Sequence, residues 1–380
     1  MPGISTLEHP PDTRPGDAPA AVTPRLELDV TRAVQGYDAL ARTLRGTAVH
    51  YAVKANPHPE LLRALVAAGA RFDVASPAET RACLRAGASP DHLVYSNPVK
   101  RRDDIVAAAA LGVRLFVVDS PEETHKVAES APGAAVLCRL VTSGEGSDWP
   151  LSRKYGCSTA EATGVLRLAA RLGLEAAGVS FHVGSQQRDP LAWRAPIEAS
   201  AKIFHDLRSS GLEPRLLDLG GGFPAHHEGG APALHRYAAS IHAFLTRAFG
   251  ANVPDTLVEP GRGVVGDAGT VVTRVIAVLR RGDVRWVYLD CGVFTGLVET
   301  LDEAIRYRLT TPGLAGPTGP CVLAGPTCDS ADVLYERSPV DLPLDLAEGD
   351  VVRIESAGAY TSCYSTVGFN GFDPLPTVVV

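Results

Sequence analysis

At 380 residues the chain is longer than a single hydrophobic core usually serves, so two structural units are expected. Hydrophobic residues make up 45% and charged residues 21%, the balance of an ordinary globular protein. The formal net charge of −7 argues against a nucleic acid or an anionic membrane as partner, and no apolar run approaches the length of a membrane span.

Residues 1–23 lack the basic and apolar regions of a secretory signal; their Pro, Gly and Asp content predicts a disordered leader. Short apolar runs then alternate with Ala/Leu-rich segments of helical period. Four runs end at Lys54, Ser76, Asn97 and Asp119, and four more cover 136–141, 179–184, 216–222 and 256–262. Helical segments closed by Gly, such as PELLRALVAAGA and PAETRACLRAGA, lie between them. Eight such units predict an α/β chain built on a (β/α)8 barrel over residues 32–262, ahead of a doubly wound sheet as the alternative. Beyond 262, β-branched residues alternate between Gly and Pro turns, which predicts a second, antiparallel β-sheet domain. The early run RLELDV reads as one of its strands, so that domain would comprise 24–31 plus 263–380.

The cysteines are odd in number and form no CxxC pair, which fits reduced thiols in a cytoplasmic protein. The histidines show no HxxxH or HExxH spacing, and no metal site is expected.

Polar and Gly-rich residues gather at the C-terminal ends of the predicted strands, where barrels place their chemistry. Lys54 closes the apolar run Tyr51-Ala52-Val53. Desolvation there would lower its pKa and free its amine to form a Schiff base; a solvated strand end is the plain alternative. Gly220-Gly221-Gly222 and Gly261-Arg262-Gly263 follow strands seven and eight, whose loops bind phosphate in many barrels, although a Gly triplet alone is usually a tight turn. Glu259 can keep a pyridine nitrogen protonated, or simply pair with Arg262. His182 can stack on a planar ring with Ser185 near a phosphate, or sit satisfied in the core. Cys328 and Asp329 place a thiol and a carboxylate on one turn of the second domain, and Gly358-Ala359-Tyr360 is the weakest signal.

Together and in this order, YAVKAN, FDVAS, SFHVGS, GGGFP, EPGR, GPTCDS and GAYT resemble the fold-type III decarboxylases that depend on pyridoxal 5′-phosphate (PLP). The resemblance runs from about residue 24 to the C-terminus, and GPTCDSADVLYE and YSTVGFNGF look like the bacterial ornithine branch. It implies that Lys54 is the Schiff-base lysine, His182 stacks on the ring and Glu259 meets the pyridine nitrogen. Ser185, Gly220, Gly221, Gly222, Gly261, Arg262 and Tyr360 would hold the phosphate, with Asp73, Glu79 and Arg139 near the lysine and ring. Cys328 would protonate the substrate carbon and Asp329 would receive the distal ammonium, both from the opposite subunit of a homodimer. Lys154 and Asp332 would form an ion pair across that interface. A second acid, Asp302 or Glu303, would line the substrate tail alongside Tyr360. The reaction implied is decarboxylation of L-ornithine to putrescine in polyamine biosynthesis. L-Lysine, diaminopimelate, or a modified or carrier-bound amino acid of secondary metabolism are alternatives, and a non-catalytic regulatory relative is a further one.

Overall fold

The computed structural model describes residues 22–151, 153–364 and 375–380. The leader expected over 1–23, apart from Val22 and Thr23, and the motif YSTVGFNGF, apart from Tyr364, lie outside the described residues. Strand β1 (Arg25–Leu28) precedes the eight strands of a closed parallel barrel. These are β2 (Thr47–Ala52), β3 (Arg71–Val74), β4 (Leu93–Tyr95), β5 (Leu115–Val118) and β6 (Ala135–Leu140). After a short strand β7 (Ser147–Trp149) come β8 (Glu175–Phe181), the short β9 (Ser185–Gln187), β10 (Leu216–Asp218) and β11 (Asp255–Val258), which closes the ring against β2.

The eight barrel strands fall on the eight runs read from the sequence. Several of the helices between them start on the same local chemistry. In Ser76-Pro77-Ala78-Glu79 and Ser120-Pro121-Glu122-Glu123 the serine hydroxyl accepts the N–H of the glutamate, and the proline occupies a first-turn position that needs no donor. Helix ends are set by glycine: Gly87 stands at φ +99°, and the next N–H turns back to the Cys83 carbonyl.

Inside the barrel Val94, Val117, Leu137, Ala177, Leu216 and Leu257 form a separate apolar plug. Side chains alternate across a strand, so the residues two steps further along face the same interior. Leu216 is followed by Asp218, Leu257 by Glu259, Val94 by Ser96 and Leu137 by Arg139. A dry plug is thus capped by a polar layer at the C-terminal mouth, in which Asp218, Glu259, Ser96 and Asp73 are all buried. The turn carrying Ser96 is held by Lys100, whose ammonium pairs with Glu123 at 2.9 Å and donates to the Val117 carbonyl at 2.7 Å.

The second unit is a nine-stranded sheet. Its strands are β12 (Gly269–Arg281), β13 (Val284–Leu289), β14 (Arg308–Thr310), β15 (Thr318–Ala324), β16 (Val333–Leu334), β17 (Val340–Pro343), β18 (Val351–Glu355) and β19 (Thr377–Val379), joined by β1. Most pairings are antiparallel; β13 with β15 and β1 with β19 are parallel. Alternate residues of these strands, including Leu26, Val271, Val275, Val287, Leu289 and Ile354, form its core. Strands β7 and β9 make a small ribbon beside the barrel mouth, with Trp149 opposite Ser185. No helix among the described residues is long and apolar enough to cross a membrane, and none of their His, Cys, Asp and Glu side chains cluster as a metal site.

Candidate active site

Lys54 lies in a 3-10 turn, Val53–Ala55, that follows β2 directly. Asn56 stabilises this turn: its N–H donates to the Val53 carbonyl, and its side-chain amide donates to the Gly358 carbonyl in the sheet domain. The Lys54 ammonium therefore projects over the polar layer and lies 2.5 Å from Asp73 Oδ2 on the neighbouring strand. It opens into a cavity of about 530 Å³ whose lining includes Glu79, Trp149, Ser185, Glu299 and Tyr360.

The electrostatics differ from the expectation of a desolvated, acidified lysine. Burial does work against the charge, but Asp73 and Glu259 outweigh it and hold the Lys54 ammonium well above the usual lysine range. Across the mouth, burial and the nearby Asp218 and Asp73 carboxylates raise Glu259 well above an ordinary carboxyl, while the Ser96 hydroxyl donates to it. Burial likewise pushes Asp218 up to about 7, against the stabilising donors Gly220 N–H and Ser180 Oγ, each at 2.8 Å. One fixed cation thus sits among three buried carboxyl groups that cannot all ionise independently.

His182, just beyond β8, is held well below the usual histidine range by burial and by the Arg139 and Lys54 cations. Its Nδ1 accepts the Gly184 N–H at 3.0 Å, so the neutral ring carries its proton on Nε2. Arg139 itself lies over the Tyr155 ring, and Glu79 accepts the Ala75 N–H at 2.7 Å.

The glycines are enforced by space. A Cβ at Gly220 would come within 2.1 Å of the Phe181 carbonyl, and one at Gly221 within 2.6 Å of the Glu259 carbonyl and 2.9 Å of His182 Nε2. At Gly222 it would meet the Gly184 carbonyl at 2.6 Å, and at Gly261 the Ala55 methyl at 2.7 Å. Gly261 is followed by Arg262, whose Nη2 donates to both Glu299 oxygens at 2.7 and 2.8 Å and lies 3.3 Å from Ser185 Oγ. Tyr360 stacks on that guanidinium at 5.0 Å from a backbone at φ +58°, and its N–H donates to the Ala55 carbonyl. The Arg262 partner is therefore Glu299; the Glu259–Arg262 pair considered from sequence is not formed.

One further expectation changes. Neither Asp302 nor Glu303 lines the cavity. Asp302 is almost fully in solvent, and Glu303 accepts the Arg337 and Ser338 N–H groups while facing Arg306. The residue of that segment on the cavity wall is Glu299. Asp332 is buried and accepts from the Val293 N–H, the Thr327 N–H and the Thr327 hydroxyl, so within its own chain it braces its loop. Cys328 and Asp329 are exposed and do not line the Lys54 cavity of their own chain.

The sequence reading also missed Ser96, Asp218, Glu299 and Cys363, whose thiol donates to the Lys54 carbonyl at the cavity edge. Alternation along β4 and β10 flags Ser96 and Asp218. Glu299 carries no local signal, because its partner lies 37 residues away.

Residues 30–266 match the family model described as pyridoxal-dependent decarboxylase, pyridoxal binding domain. The chain belongs to the pyridoxal-dependent decarboxylases. It is 35% identical to the lysine/ornithine decarboxylase of Selenomonas ruminantium over 359 residues, covering 94% of this chain and 89% of that protein. To the ornithine decarboxylase of Schizosaccharomyces pombe it is 36% identical over 335 residues, covering 85% and 75%. A crystal structure of lysine/ornithine decarboxylase from Vibrio vulnificus, complexed with cadaverine, superposes with a TM-score of 0.85 at 34% identity, covering 94% of each chain.

This decarboxylase is thus a carboxy-lyase whose cofactor is PLP, and its site suits that group. A phosphate ester suits backbone unobstructed by side chains, and no side chain would fit at Gly221, Gly222 or Gly261. It also suits a buried cation, and among the described residues Arg262 Nη1 is buried without a satisfied hydrogen bond. An aldehyde needs an amine, as Lys54 could offer, and a pyridine nitrogen needs an acid, as Glu259 could offer. In the decarboxylase freed of PLP, Asp73→Asn should lower the pH midpoint for acylation of Lys54 by about one to three units, since only the neutral amine reacts. Competitive acetylation followed by peptide mass analysis measures this; an unchanged midpoint would show that Asp73 does not hold the charge.

Proposed function

We propose that this decarboxylase converts L-ornithine to putrescine and carbon dioxide, with L-lysine as the second substrate. The observation carrying the reading is the Lys54 amine paired to Asp73 at the barrel mouth, with Glu259 on the same polar layer. The other ionisable side chains lining the cavity include the carboxyls Glu79 and Glu299, and Lys54 is its only cation among the described residues. With Glu299 taken up by Arg262, Glu79 leaves a wall compatible with a second ammonium on the substrate, in keeping with relatives named ornithine and lysine/ornithine decarboxylases.

Bound in this site, PLP supplies an electron sink for the pair left on the substrate carbon when carbon dioxide departs. Lys54 anchors the cofactor covalently, and Asp73 steadies its ammonium whenever it is released. Glu259, backed by Ser96, holds a proton at the pyridine nitrogen. The neutral His182 ring would pack against the cofactor, with Arg139 and Glu79 beside it. Gly220, Gly221, Gly222 and Gly261 give backbone room to the phosphate, which Ser185, Arg262 and Tyr360 hold. A thiol is then needed to return a proton to the substrate carbon, and a carboxylate to receive the distal ammonium. We assign these to Cys328 and Asp329 of a second copy in a homodimer, because both are exposed and outside their own chain's cavity.

Carbon dioxide release from ornithine, lysine, arginine and diaminopimelate tests the substrate. Ornithine is expected to show the highest kcat/KM, and a higher value for any of the others would replace it. Loss of a charge-assisted hydrogen bond of about 1.5–3 kcal/mol predicts that Asp329→Ala lowers kcat/KM for ornithine by about one to two decades. A substrate with an uncharged tail should be unaffected, and equal losses would make Asp329 a structural residue.

The shared site has its own test. Inactive Lys54→Ala and Cys328→Ala chains, allowed to exchange, should recover about 25% of wild-type activity. Half the dimers are mixed, and each mixed dimer contains one intact site of two. Exchange proven by pull-down of a tagged chain without recovered activity would place each site within one chain.

A further inference from the structure

Arg262 is restrained on several sides. Its Nη2 donates to both oxygens of Glu299, its Nε and Nη2 lie 3.3 Å from the Ser185 hydroxyl, and the Tyr360 ring covers its face at 5.0 Å. The side chains of Arg262 and Glu299 are only 2% and 3% exposed. One edge of the guanidinium, Nη1, is buried without a satisfied hydrogen bond, and the nearby Tyr307 hydroxyl is likewise unsatisfied.

Glu299 belongs to the sheet domain. It lies in the short 3-10 segment Val298–Glu303, while Arg262 begins the helix after the last barrel strand. The segment is pinned at that point: the Ile305 N–H donates to the Glu299 carbonyl, and the Thr300 N–H and hydroxyl donate to the Leu297 carbonyl. The backbone that carries the carboxylate is thus fixed where it approaches the arginine.

We infer that Glu299 is a positioning residue for cofactor binding, which acts by fixing Arg262 so that its unsatisfied Nη1 edge is presented to the phosphate. The inference rests on the reading of Arg262 as a phosphate ligand. It adds a residue of the second domain to the cofactor's support and gives the 298–303 segment a role other than reading the substrate tail. Two effects of the carboxylate compete. As an anion it opposes a phosphate nearby; as a two-point acceptor it immobilises a long, flexible cation. The bidentate bonds are short and shielded from water, and the carboxylate charge is already neutralised by the guanidinium it holds, so the immobilising effect governs the sign.

The test compares PLP with pyridoxal, which lacks the phosphate, by absorbance titration of the protein freed of cofactor. Glu299→Gln keeps the side chain's size and should weaken PLP about tenfold while leaving pyridoxal within about twofold. Arg262→Met should show the same selectivity with a larger loss. If Arg262→Met weakens PLP and pyridoxal alike or not at all, the phosphate reading of Arg262 fails. If Arg262→Met is selective but Glu299→Gln leaves PLP unchanged or tightens it, the positioning role alone is overturned. An equal loss of PLP and pyridoxal in Glu299→Gln would likewise show a merely structural residue. Should Glu299→Gln fail to fold, Glu299→Asp retains the charge with shorter reach; a selective loss smaller than that of Arg262→Met supports the role, and no selectivity overturns it.

Discussion

A lysine ammonium held against a buried carboxylate, above an apolar plug, is the interaction on which the rest of this site depends. Lys54 and Asp73 stand 2.5 Å apart, and Asp218 and Glu259 lie within the same layer. Three carboxyl groups so placed repel one another and would drive protons onto themselves without a resident cation. Lys54 supplies it, while burial raises Asp218 to about 7 and raises Glu259 well above an ordinary carboxyl. In the proposed reading, a cofactor with a basic ring nitrogen and an aldehyde would meet an acid at Glu259 and an amine at Lys54.

The second constraint is steric. The turns after β8, β10 and β11 approach so closely that Gly220, Gly221 and Gly222 lack room for a methyl group, and Gly261 is crowded in the same way by Ala55 and Tyr360. They stack the backbone of adjacent loops against one another. Arg262 and Tyr360 close this stack from the two structural units, and Glu299 ties them at the arginine. The catalytic mouth is thus a joint between barrel and sheet.

The barrel was legible because its strands are short apolar runs bounded by Ser, Pro and Gly at regular spacing, and each turn chemistry is local. The placements of Lys54, His182, Glu259 and the glycines were legible for the same reason, since a strand end fixes where the next residue points. The charge state of Lys54 was not. Desolvation is visible in an apolar run, but Asp73 and Glu259 come from strands that only the closed barrel brings near. The 298–303 segment failed differently. Leu301 leaves helical geometry, and Asp302 and Glu303 adopt positive φ, so no helical or strand period tells which acid faces inward. Asp332 also braces its own loop, a role that no sequence period signals. Cys328 and Asp329 mark the limit of a single chain, since the proposed chemistry requires a surface that one copy does not supply.

Borohydride reduction of the PLP-loaded protein, followed by peptide mass mapping, addresses the central claim most directly. If the ammonium over the carboxyl layer is the cofactor's anchor, about one phosphopyridoxyl group per chain is expected, on the peptide containing Lys54, and Lys54→Ala should carry none. Stoichiometric labelling at Lys100, Lys126, Lys154 or Lys202, or an undiminished adduct in Lys54→Ala, would contradict the account.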